Sequence, residues 1–190
     1  MKPASAFLIV PLAFVSLAFS AVTVQQQTST QGWRQTEMTD AVRGDYARYT
    51  LLGKFLKAPA GDSAARPSLT VDCSTHNRSH KLEFLRGTLV VGDPLHIDWV
   101  EPEEIHGISY FPKVYVVYRL NDAKEDKERW TPSADKTSAS FSKGSLEKML
   151  GAHTVEITAQ DQGGAALVMQ FDIPESSVIG QACDVDQHKK

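Results

Sequence analysis

The stretch that decides the fold is Pro112 to Phe141, PKVYVVYRLNDAKEDKERWTPSADKTSASF. Val114, Val116, Tyr118 and Leu120 recur on alternate residues, while Tyr115, Val117, Arg119 and Asn121 point the other way. A period of two in β-branched and aromatic residues is the pattern of a strand packed on one face. The polar run Asp122 to Glu128 has too little apolar surface to bury, so it reads as a solvated turn or loop returning the chain toward Trp130. Pro132 breaks the pairing and Ser138 to Phe141 resumes it.

The same texture extends in both directions. Trp33 to Met38 and Ala47 to Leu56 are predicted strands, the second with Tyr49, Leu51 and Phe55 on one side. Residues Ala58 to Pro67, APAGDSAARP, form a turn-rich surface loop. Lys81 to Arg86 and Thr88 to Val91 are separated by Gly87, read as a bulge or bend. After the turn Gly92-Asp93-Pro94, the residues Leu95, Ile97 and Trp99 resume the alternation and are assigned to the core, with His96 and Asp98 on a wet face. His153 to Ala159 and Ala165 to Ile173 flank Gln160 to Gly164 as a hairpin, with Val155, Ile157, Leu167, Met169 and Phe171 inward. Helix is expected in two short places. One is capped by Ser145 and stopped by Gly151, with Leu146, Met149 and Leu150 on one face; the other runs from Ser177 with Val178, Ile179, Ala182 and Cys183 aligned. Short strands with frequent turns and no long helical crossovers predict an all-β fold, an antiparallel β-sandwich with one or two short peripheral helices.

The N-terminus carries an address. Lys2 precedes an apolar run of 14 residues, Ala6 to Phe19, and Ala18-Phe19-Ser20 supplies the small-x-small pattern before a cut at Ala21. Residues 1–20 therefore read as a secretory signal peptide, 21–31 as a flexible lead-in rich in Gln, Ser and Thr, and 32–190 as one domain. The apolar run is shorter than the roughly 20 residues a bilayer crossing needs, so no integral membrane span is expected after signal removal. The localisation expected is periplasmic or secreted. The full chain of 190 residues has a formal net charge of −3, and losing Lys2 makes it more acidic. That balance gives no general attraction to nucleic acid, and none is expected as a partner.

Two cysteines and an export signal belong together. Cys73 ends a strand-like run in which Leu69, Val71 and Cys73 share a face, and Cys183 lies seven residues from the C-terminus. An even pair in an oxidising compartment predicts a disulfide between Cys73 and Cys183.

Chemistry-bearing motifs are scarce. His76 and His80 share a face, but no further convergent ligands follow at a zinc spacing, and Asp72 is the nearest acid. Glu101, Glu103 and Glu104 form an acidic loop whose Pro102 and missing Asp/Asn/Gly pattern do not suit a calcium hand. GxSxG, HExxH, SxxK and glycine-rich phosphate loops are missing from the sequence, so neither an enzyme nor a cofactor is expected. A hydrolase triad assembled in space from distant serines and acids is the third class left open. Of the three tryptophans, Trp33 and Trp99 read as core. Trp130, beside Arg129 after the charged loop, is the surface candidate, and Arg129 and Trp130 are the binding candidates.

Several short motifs, in order, resemble the VasI-type proteins associated with type VI secretion. They are Trp33 with Met38-Thr39-Asp40, Pro67 to Cys73, Val116 to Asp122, Arg129 to Asp135, and Phe171-Asp172-Ile173 followed by Ala182-Cys183. The resemblance implies an exported accessory of a secretion system and carries over no active-site residues. The expected function is a non-catalytic exported envelope accessory or binding domain, its partner a protein or a cell-envelope component. The alternative is a carbohydrate- or peptidoglycan-binding module using an exposed aromatic at Trp130.

Overall fold

The computed structural model describes residues 23–30, 32–40, 44–59, 65–74, 85–100, 111–174, 179 and 183. Residues 1–20, read as a signal peptide, together with His76, His80, Glu101, Glu103 and Glu104, lie outside the described residues. Among the described residues, twelve strands and the helix α1 follow in chain order: β1 (Thr23–Thr30), β2 (Trp33–Asp40), β3 (Gly44–Leu52), β4 (Lys54–Lys57), β5 (Ser68–Ser74), β6 (Leu85–Val90), β7 (Asp98–Val100), β8 (Phe111–Leu120), β9 (Asp126–Pro132), β10 (Ser138–Phe141), α1 (Lys143–Leu150), β11 (Thr154–Gln160) and β12 (Ala166–Asp172).

Every ladder is antiparallel, and the strands run β1-β2-β3-β5-β6-β10-β9-β8-β11-β12-β4, with β7 paired to β8 off that path. β3 and β4 are one run of chain interrupted by Gly53, yet they lie far apart along this path. The sheet therefore folds over on itself, and its halves pack as the two layers of a sandwich with the core between them. Gly53 is the corner. A Cβ there would overlap the Phe171 ring and come within 2.8 Å of the Gln170 carbonyl, while its N–H donates to Pro67 at 2.8 Å. Folding the sheet this way also leaves fewer unpaired edges open to other chains.

The central strand behaves as its alternation requires. Val114, Val116 and Tyr118 are buried and Tyr115 is exposed. On β11 and β12 the residues Val155, Ile157, Leu167, Met169 and Phe171 all face the core and are fully buried. Burying each such side chain contributes about 1.5–3 kcal/mol, which is what holds two polar-faced layers together. Cys73 and Cys183 form the expected disulfide, with Cα atoms 5.6 Å apart across a separation of 110 residues. Ile179, four residues before Cys183, is helical and buried in the core, and Cys183 itself is bonded to β5.

Four expectations change. The lead-in read as flexible is strand β1 over most of its length, paired with β2 from Thr23↔Thr39 to Thr30↔Trp33. A run of Gln, Ser and Thr lacks apolar alternation, and an edge strand does not need any. Gly87 is no bulge: it pairs in regular register with Val71 and Phe141, and a Cβ there would run into the Phe141 ring. The cap of α1 is Ser142, whose Oγ accepts from the Ser145 N–H at 3.1 Å, while Gly151 ends the helix as predicted. Trp99 is 64% exposed, because β7 pairs with β8 only at Phe111 to Lys113, past the end of the core where Leu95 is buried.

Candidate functional site

The two binding candidates point in opposite directions. β9 alternates, sending Glu128 and Trp130 inward and Lys127, Arg129 and Thr131 outward. Trp130 is 1% exposed and pairs in register with Val114. Its ring packs between Tyr118, with centroids 6.3 Å apart, and Phe141, 4.6 Å apart. Trp130 is therefore core, and the expectation that it offers a surface for stacking is corrected. Arg129 is exposed and lies directly across from Tyr115, which is 42% exposed.

The inward neighbour, Glu128, is the most heavily engaged carboxylate among the described residues. Tyr118 donates its hydroxyl to Oε1 at 2.7 Å; the Trp130 indole and the Ser145 hydroxyl donate to Oε2 at 2.9 and 2.6 Å. Burial alone would raise the Glu128 pKa, but the hydrogen bonds from Ser145, Tyr118 and Trp130, with the charge of Lys148, outweigh it and hold the group below its ordinary value. Burial, then the bond to Glu128, pushes the Tyr118 phenol upward. A general acid or base has to exchange its proton near the working pH. Here the hydrogen bonds favour the charged carboxylate, and burial favours the neutral phenol. The arrangement works as a fastener: Ser145 lies in α1, so the helix is tied to β9 through one carboxylate.

The outer face of the folded sheet carries the other concentration of polar groups. Register places Thr50, Thr70, Thr88, Ser140 and Thr131 side by side on β3, β5, β6, β10 and β9. At the spacing of neighbouring strands this row is about 19 Å long. Arg34 pairs with Thr50 at one end, and Lys113 donates to the Thr131 hydroxyl at 3.1 Å at the other. Thr88 and Ser140 hydroxyls lie 3.3 Å apart, and Arg86 Nε donates to Ser140 at 2.8 Å. One step along the strands, Arg48 grips both oxygens of the buried Asp72, at 2.6 and 2.8 Å. That bond raises the Arg48 pKa further, against the burial that would lower it. Thr70 is buried and bonded to the Thr88 carbonyl, Thr50, Thr88 and Ser140 are half-buried, and Thr131 is the exposed member of the row.

His96 and Asp98 lie 3.7 Å apart on the solvated side assigned to them. Among the described residues no three His, Cys, Asp or Glu side chains converge as metal ligands. Sequence reasoning missed Glu128, which was grouped with the solvated loop, and missed the threonine row. Glu128 was recoverable from parity with Trp130. The row was not, because its members are scattered over five strands and only the pairing register aligns them. Compared with known proteins, the chain matches no family model, no curated protein and no solved structure.

Proposed function

We propose that this chain is an exported, non-catalytic binding domain of the cell envelope that acts through the outer face of its sheet. The carrying observation is the exposed cross-strand pair of Tyr115 and Arg129, continuous with the hydroxyl row that ends at Thr131. An aromatic beside a guanidinium offers a stacking surface and directional donors at one place, the combination that binding surfaces favour. The buried Cys73–Cys183 disulfide is compatible with an oxidising compartment, in line with the export signal at residues 1–20. The engagement of the half-buried Glu128 by three donors supports a structural use of that carboxylate rather than a catalytic one. The order of motifs shared with VasI-type proteins supports an accessory role in a secretion system.

The test is retention on the envelope fraction of the cells that make the protein. Tyr115→Ala with Arg129→Ala should lose most of the retained protein while shifting the melting temperature by no more than a few degrees. Retention unchanged by this pair, with the fold intact, would remove the outer face as the binding surface.

A further inference from the structure

We infer that strand β1 is a docking edge for a second copy of this chain, two β1 strands pairing antiparallel so that the sheet runs on from one protomer into its partner. Among the described residues β1 stands at one end of the strand path and is paired with β2 alone. The row of backbone N–H and C=O groups along its other side has no ladder partner among those residues, and such a row is a template for another strand. The edge is fixed in place before any partner arrives. Thr30 pairs with Trp33, the connection between them carries Gly32 at φ +88°, and Trp33 is 1% exposed in the core. A strand already held along its length loses little freedom on pairing again. The inference does not depend on what the outer face binds.

The two ends of the path are built differently. β4, at the other end, has four residues with a lysine at each end, and its Leu56 is skipped where the register with β12 shifts. Short length, lysines and a bulge are the devices that keep an edge strand from pairing with other chains. β1 has eight residues, TVQQQTST, with no charged residue and no proline among them. Its one such device is the bulge between Gln25 and Gln27, and residues 27–30 beyond it pair with β2 in unbroken register. The absence of charge is what selects a second copy as the occupant. An antiparallel pair of identical strands is related by a two-fold axis, so each strand meets its own composition reversed. A charged strand is penalised there, because like charges come to lie opposite one another. This strand meets no such cost. A two-fold contact also closes on itself, so it makes a dimer and does not grow. With one strand contributed by each copy the contact is small, and the dimer is weak and reversible.

The experiment follows the mature, disulfide-intact protein by sedimentation velocity from dilute to concentrated solution, with amide hydrogen exchange measured at both limits. A reversible monomer–dimer equilibrium is expected. Added salt should change it little, because no charge takes part in the contact. Amides of β1 should exchange about tenfold or more slowly in the concentrated sample, while those of β4 stay as they were. Gln27→Lys with Ser29→Lys sets lysines of the two copies against each other and should weaken the dimer about tenfold or more. Lys54→Glu with Lys57→Glu on β4 is the control and should leave the dimer unchanged. Melting curves establish that both variants fold, and the exchange pattern of the wild type decides the question without either of them. A monomer at every concentration would overturn the inference. So would assembly beyond a dimer, a dimer dissolved by salt, slowed exchange that spares β1, or a dimer that survives the added lysines.

Discussion

Glu128 tests the account at the scale of single atoms, because three donors depend on its two oxygens. Glu128→Ala leaves the Tyr118 hydroxyl, the Trp130 indole and the Ser145 hydroxyl without their acceptor, and should cost on the order of 3–5 kcal/mol in chemical denaturation. Glu128→Gln keeps the shape but turns one acceptor into a donor, so it should fall between the two. The pH dependence has a definite sign. A carboxylate held below its ordinary pKa in the folded state contributes stability that is present above its unfolded value. That contribution is lost as pH falls through the folded value. Melting temperature in the wild type should therefore decline on acidification below the ordinary carboxylate range, and Glu128→Gln should flatten part of that decline. An identical acid limb in both proteins would show that Glu128 is not the group responsible. The exposed Asp135, held down by the Ser133 hydroxyl and then by Thr137, adds an acid-sensitive part common to both. Trp130→Ala should cost about 3–5 kcal/mol as a core truncation. Trp99, assigned to the core from sequence, is exposed, and Trp130, a surface candidate weighed against a core position, is core; the reason is physical. Alternation gives the face of a strand and says nothing of where the core ends along it. β7 continues its inward register past that end, while β9 brings Trp130 back across Val114.

At the scale of elements, β8 is the strand on which register can be read directly. Val116 is fully buried between the layers and Val117 is half-buried on the outer side. Val116→Asp should abolish cooperative unfolding, because an unpaired buried charge costs several kcal/mol. Val117→Asp should leave a folded protein with a modestly lowered melting temperature. Equal damage from both would mean that β8 is enclosed on both faces. Strands with strong alternation, β8, β11 and β12, were legible because each side of the sheet imposes its own solvent. β1 was not legible, since Thr23–Thr30 carries no apolar stripe and its order comes from pairing along β2. The start of α1 was misplaced by one turn for a related reason: Ser142 and Ser145 are both competent caps, and the helix uses the first while Glu128 engages the second. The cross-strand row from Thr50 to Thr131 is a property of pairing and has no contiguous trace in the chain.

For the whole molecule, the Cys73–Cys183 disulfide and the outer face make separable claims. Denatured but unreduced protein should titrate no free thiol, and two thiols should appear on reduction. Cys73→Ser should lower stability by roughly 2–5 kcal/mol, the range for closing a loop this long. Both follow from an even pair of cysteines, and the pairing is the part of the tertiary structure that composition alone made plain. The claim that matters most is that recognition belongs to the outer face and the interior only holds it in place. Chemical footprinting of lysines and arginines, with and without the envelope fraction, tests that most directly. The account predicts that Lys113, Lys127 and Arg129 become protected when the protein is bound, while Lys54, Lys57 and Lys143 stay reactive. Protection of Lys54, Lys57 or Lys143 with Lys127 and Arg129 left open would contradict it.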